Sequence, residues 1–338
     1  MPRILLTQSI HPQAQDRLAE LGDVIVAPNT APDTLRACAV GCDVVIVRAQ
    51  LPDDIFDAAA SMIGAVRHGA GVDMIPIAAA TRRGVLVANV PGVNANAVAE
   101  HVLSSILQLS RQAAPMRLRL RERSAGWAKA RAFADAGFEL AGRTLGLVGF
   151  GHVGQAIARL CGAALSMTVL AHTRSPLAPG EPMARHVPLP ELLAQSDFVV
   201  LACPLTDATR GLIGGPELAS MKRGACLVNV ARGPVVQELP LIEALQSGRL
   251  AGAALDVFDA IPLRDDHPYW AMEQVLITPH VAGITQDSML RMGHAAALAV
   301  AHLLRGEMPP NCVNPQALPV FLGRLHSRPQ SFTVKDPS

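Results

Sequence analysis

Short, uninterrupted apolar runs alternate along the chain with longer stretches whose apolar residues recur every third or fourth position. RILLT, DVIVA, DVVIVR and AVRHG are runs of the first kind, and HPQAQDRLAEL, between the first two, is of the second. GVLVANV closes this series and is followed by a long helical pattern from about Asn94 to Arg111. Beyond Glu139 the alternation resumes with TLGLVGF, MTVLAH, FVVLAC, ACLVNV, AGAALDV and QVLITPH, and a last helix is expected from about Gln286 to Arg305. Strands that are apolar on both faces, with amphipathic helices between them, require a parallel sheet buried between helical layers. The series occurs twice, so the pattern predicts an α/β protein of two doubly wound, Rossmann-like domains. A chain of 338 residues is also too long for one ordinary core.

The interval from Arg111 to Glu139 separates the two series. It holds Pro115, Gly126, Gly137 and a cluster of Arg, and its apolar periodicity is weak. That predicts a solvated segment or a subunit contact in preference to a nucleic-acid-binding arm. Residues 321–338 are polar and are expected to form a poorly ordered tail. A formal charge of +1 gives no reason to expect nucleic acid or an anionic membrane as partner. The six cysteines form no CxxC pair and sit mostly in apolar runs, which predicts buried free thiols, and no metal site is expected. With no bilayer-length apolar run and no signal-peptide pattern at the start, a cytoplasmic protein is expected.

One motif carries recognisable chemistry by itself. TLGLVGFGHVGQAIARLCG places Gly149, Gly151 and Gly154 directly after an apolar strand and directly before a helix. The first glycine allows a tight turn, the second lets backbone approach a pyrophosphate, and the third lets helix pack against strand. The helix start, with His152 and Val153, then offers unpaired N–H groups to the anion. The next strand ends in His172, Thr173 and Arg174, with no acid to hold a ribose 2′-hydroxyl. A hydroxyl followed by Arg suits a 2′-phosphate better, so NADP(H) is favoured, with NAD(H) as the alternative.

Seven segments, in order, resemble the D-isomer-specific 2-hydroxyacid dehydrogenases: RHGAGVDMIP, NVPGVNANAVAEHV, GRTLGLVGFGHVGQAIA, CPLTDATRGLI, MKRGACLVNVARGPVV, AGAALDVF and TPHVAG. The resemblance runs to about Asn314 and implies a glyoxylate/hydroxypyruvate reductase-like oxidoreductase. It implies a substrate domain of residues 1–98 plus 287–320, a dinucleotide-binding domain of residues 99–286, and an active site in the cleft between them. It further implies that Arg232 holds the carboxylate and keto oxygen of a small 2-keto acid while His280 acts as acid/base. Ala70, Gly71 and Val72 would add backbone N–H groups, and Arg48 a further substrate contact. Cys203, Pro204, Thr209, Ala231, Asp256 and Gly283 would line the cofactor site, Asp256 contacting the nicotinamide carboxamide. A homodimer is expected from the same resemblance.

The resemblance breaks at one informative place. The family reads DVF, two variable residues, then Glu-Pro, and that Glu hydrogen-bonds the catalytic histidine. Here Ile261 precedes Pro262 and offers no carboxylate, while Asp259 lies two residues earlier. The other readings on the same scaffold are a dinucleotide-sensing co-repressor-like protein without turnover and a dehydrogenase of another small anion.

Overall fold

The computed structural model describes residues 1–177 and 180–326. The chain forms two compact units, one of Met1–Asn94 with the chain from Thr285 onward, the other of Ala95–Ile284. Within the first unit lie β1 (Arg3–Leu6), β2 (Asp23–Val26), β3 (Val44–Val47), β4 (Gly64–Arg67) and β5 (Leu86–Ala88). They form one parallel sheet in the order β2-β1-β3-β4-β5. Side chains alternate across it as strand geometry demands. Ile4, Leu6, Val44 and Ile46 pack under the helices Pro12–Ala19 and Gln286–Leu304, while Leu5, Val45 and Val47 pack on the other face with Leu35 and Phe56.

The returning chain completes this unit and is fastened to it. Thr285 caps the helix Gln286–Leu304 by accepting from the Ser288 amide at 3.1 Å, and Gly293 of that helix sits flat against Ala14. Asn314, fully buried, accepts from the Val87 amide at 2.7 Å and donates to the Val85 carbonyl at 3.0 Å, tying the chain to β5. The polar tail expected from residue 321 opens instead with the end of a helix. Leu318–His326 is a helix, and Phe321 has 0% exposure within the core of the first sheet. Leu318 and Leu325 pack against the same core, and the polar residues that follow His326 in sequence mask this short apolar helix as part of a tail. Residues 327–338 lie outside the described residues.

The second unit carries β6 (Thr144–Val148), β7 (Thr168–His172), β8 (Arg185–His186), β9 (Phe198–Leu201), β10 (Cys226–Asn229), β11 (Gly252–Leu255) and β12 (Val275–Ile277). All pairings are parallel, in the order β12-β11-β10-β9-β6-β7-β8. Strands β9, β10 and β11 are buried along their whole length, which is why they read as continuous apolar runs. The chain order reverses between β6 and β9, so a crevice opens outside their carboxyl ends.

The interval read as a solvated segment or a subunit contact is largely helical, and most of its residues are exposed. Ala113–Leu120 and Trp127–Ala132 are short helices, joined and followed by 3-10 turns, and Arg119 pairs with Glu273 at 2.5 Å. Pro115 falls in the first turn of its helix, where a missing N–H costs nothing. Two of the larger apolar residues, Leu120 and Trp127, face outward, Trp127 at 70% exposure, and that erases the inward periodicity by which a helix is recognised. No described helix is long and apolar enough to cross a membrane.

Candidate active site

The candidate residues in the second unit follow the carboxyl ends of strands, on loops or, for His152, Val153 and Gly154, in the first turn of the helix after β6. After β6, the three motif glycines meet three different surroundings. A Cβ on Gly149, whose φ is +101°, would lie 2.8 Å from the Ala202 carbonyl and the Cys203 amide. A Cβ on Gly154 would lie 2.4 Å from the Gly149 carbonyl oxygen. A Cβ on Gly151 would touch nothing within 4 Å. The outer two glycines are therefore required by packing inside the protein. The space over the middle one is left open above the first N–H groups of the helix that starts at His152, the place a pyrophosphate needs. The Gly149 contact also brings Cys203 and Pro204, after β9, to the same crevice.

After β7, the Gly149 amide donates to the His172 carbonyl at 2.9 Å, so the ribose-side residues start from the phosphate loop itself. Thr173 donates its hydroxyl to the Ser175 carbonyl, and Arg174 is exposed. The imidazoles of His172 and His186 stack with centroids 6.5 Å apart. Thr209 serves the loop after β9: its hydroxyl donates to the Pro204 carbonyl at 2.7 Å and accepts from the Thr206 amide at 2.8 Å.

Arg232, Asp256 and His280 follow three adjacent strands, β10, β11 and β12. The loop bearing Arg232 is shaped by Asn229, 2% exposed, whose amide accepts from the Ala231 N–H and donates to the Arg232 carbonyl, both at 3.0 Å. Gly233 then lies against the Phe258–Asp259 peptide, where a Cβ would come within 2.1–2.5 Å of backbone atoms. His280 adopts φ +58°, a strained conformation for a residue with a side chain. What holds it is Asp256, 2% exposed: Oδ1 accepts from the Thr278 hydroxyl at 2.6 Å and the Val281 amide at 2.8 Å, and Oδ2 from the Ala282 amide at 2.9 Å. These contacts bracket His280 on both sides. Three donors occupy most of the carboxylate's acceptor capacity and leave one direction on Oδ2 for a further donor.

In the first unit, Arg48 follows β3 and Ala70–Val72 follow β4. The Arg48 amide donates to the Thr7 hydroxyl at 2.8 Å and its guanidinium to the Ser9 carbonyl, and burial pulls that guanidinium below its ordinary pKa. No acceptor among the described residues meets the N–H groups of Ala70, Gly71 and Val72.

Residues 103–282 match the family model for the D-isomer specific 2-hydroxyacid dehydrogenase, NAD binding domain. The chain is 34% identical over 336 residues to the glyoxylate reductase of Aeropyrum pernix, covering 94% of this chain and 98% of that one. The chain belongs to the D-isomer specific 2-hydroxyacid dehydrogenase family. The dehydrogenase also superposes on the TT0316 protein of Thermus thermophilus with TM-score 0.82 and 33% identity, over 92% of this chain and 99% of that one. An NADPH-dependent glyoxylate/hydroxypyruvate reductase of Sinorhizobium meliloti, solved with NADP and malonate, matches with TM-score 0.81 and 27% identity, over 94% and 98% of the two chains. The open cradle over Gly151 fits the nicotinamide dinucleotide that the matched domain binds.

Against that family, Ile261 stands where a Glu is usual, and its side chain is 64% exposed. Asp259 is pushed above the usual carboxylate range by partial burial and by the Glu238 carboxylate, with Arg210 opposing. The charges acting on it thus belong to the loop after β9 and the helix Glu238–Gln246. Three groups went unassigned in the sequence of the dehydrogenase although they shape its site. Asn229 folds the Arg232 loop, Thr278 joins Asp256, and His101 Nε2 lies 3.4 Å from the Thr278 hydroxyl. All lie inside or beside motifs, but their partners are distant in the chain or in the backbone, where no spacing rule points.

Proposed function

We propose that the dehydrogenase reduces a small 2-keto acid to its D-2-hydroxy acid, with NADP(H) preferred over NAD(H). The observation that carries this reading is the placement of Arg232 and His280 just after β10 and β12, with Asp256 just after the intervening β11 and fixing the histidine loop. The planar Arg232 fork binds a carboxylate and polarises the adjacent keto oxygen, for which a single ammonium is less suited. His280 gives its proton to the alkoxide oxygen as it forms, and takes one back in the reverse direction. The N–H groups of Ala70, Gly71 and Val72, with Arg48, supply further donors to the substrate. Bound dinucleotide supplies the hydride that arrives at C2. Thr173 and Arg174 receive a 2′-phosphate, supported by the S. meliloti reductase, which was solved with NADP. The outward-facing Leu120 and Trp127 support a homodimer as the working form.

Oxidation of NADPH and of NADH is followed against glyoxylate, hydroxypyruvate, pyruvate and bulkier 2-keto acids. Turnover with at least one small acid, and a higher kcat/KM for NADPH than for NADH, is expected. Nucleotide binding with no 2-keto-acid-dependent oxidation would instead identify a sensor.

A further inference from the structure

The loop after β4 exposes three amides in a row and no carbonyl. Each carbonyl of the loop is taken by a donor of the protein: Gly69 by the Val90 amide at 3.0 Å, Ala70 by Asn89 Nδ2 at 2.6 Å, Gly71 by Arg67 Nε at 3.0 Å, and Val72 by the Ile75 amide at 3.0 Å. The amides of Ala70, Gly71 and Val72 meet no acceptor among the described residues. Arg67 is itself fastened, donating through Nη1 to the Val47 carbonyl at 2.9 Å and the His68 carbonyl at 2.8 Å. Its guanidinium lies beneath the turn, 3.3 Å from where a Cβ on Gly69 would stand, and Gly69 itself has φ +147°. Neither residue was assigned a role from the sequence.

We propose that Arg67 and Asn89 are positioning residues that make the Gly69–Val72 loop an N–H-only receptor for the ionised carboxylate of the substrate. The proposal rests on the reading that this loop receives the 2-keto acid. A loop this rich in glycine has a cheap alternative state, in which the Ala70–Gly71 or Gly71–Val72 peptide turns over and presents its oxygen outward. An outward oxygen repels a carboxylate, whereas converging N–H dipoles attract one. Turning either peptide would strip a carbonyl of its Asn89 or Arg67 donor, so the two side chains hold the loop in its anion-binding state. Arg67 adds a fixed positive charge below the same amides. The loop thereby selects an ionised acid over its amide or ester, and does so before any reaction occurs.

Two variants test this, with oxalate as a carboxylate probe that cannot be reduced. Asn89→Asp keeps the shape and loses the donor; Arg67→Lys keeps the charge and loses the fork. Oxalate affinity is measured calorimetrically on the NADP-loaded protein, alongside kcat, KM for a 2-keto acid and thermal midpoint. Each variant is expected to weaken oxalate binding and raise KM on the order of tenfold, the scale of one hydrogen bond to a charged group, with kcat at saturation little changed. Reduction of the ethyl ester of the same acid is expected to keep its kcat/KM, so acid-over-ester selectivity falls. Unchanged oxalate affinity in both variants, or a fall in kcat with KM and selectivity intact, overturns the proposal, as does a wild-type protein that binds no oxalate. A wild-type protein that binds oxalate and loses it in the variants, yet reduces no 2-keto acid, refutes the proposed activity and leaves the loop assignment standing.

Discussion

Asp256 spends its carboxylate on the backbone and side chain of the segment that carries His280, which at φ +58° has no conformational reason of its own to stay there. The family resemblance places this acid on the nicotinamide carboxamide, and the one remaining acceptor direction on Oδ2 allows that contact as well. The two roles separate experimentally. Asp256→Asn turns an acceptor into a donor facing the backbone amides, releases the histidine loop, and is expected to lower kcat on the order of a hundredfold, the scale of a misplaced reacting group. Thr278→Val removes one of the three donors and should have a smaller effect in the same direction. Steady-state kinetics together with dinucleotide affinity by fluorescence provide the check. A weakened dinucleotide with kcat intact would assign Asp256 to the cofactor alone.

At the scale of elements, the strands were readable because burial on both faces leaves them few polar positions, and none in β3 and β9. The phosphate loop was readable because its outer two glycines have packing reasons inside the protein, and the middle one leaves room for a pyrophosphate. Other elements were not. β8 is two exposed residues paired to β7, with no apolar signature, and the helices between residues 113 and 132 turn large apolar residues outward. Asn89, Arg67 and Asn229 act on backbone atoms brought near by folding, and a polar residue at a strand end looks alike whether or not it does so. The end of β4 also stores a pH dependence. His68, 3% exposed, is held down to a pKa of about 4 from 6.5, first by burial and then by Arg48 and Arg67. Between those values the unfolded chain binds a proton that the folded one refuses, so stability falls as pH drops from 6.5 to 4 and is unaffected above 6.5. The full loss amounts to about 3 kcal/mol. Denaturant midpoints at pH 7, 5.5 and 4 should show this decline in the wild type and a shallower one in His68→Asn. Equal slopes would mean that His68 is already charged in the folded state.

The whole molecule repeats one architecture in two units, and in each the candidate residues leave the carboxyl ends of a parallel sheet. The second unit carries the open cradle, Arg232 and the strained His280, and the first carries a loop whose amides at Ala70, Gly71 and Val72 meet no acceptor among the described residues. Its membership of the D-isomer specific 2-hydroxyacid dehydrogenase family makes the dinucleotide site expected; the direction of chemistry rests on the groups around it. The proposed reaction transfers hydride to C2 of a 2-keto acid, with His280 supplying the proton. The most direct measurement incubates the protein with pyruvate and NADPH deuterated at both positions of C4, then isolates the hydroxy acid. One deuterium at C2, D configuration, and loss of product formation in His280→Gln are expected. Product with no deuterium at C2, or undiminished turnover in His280→Gln, would contradict the claim.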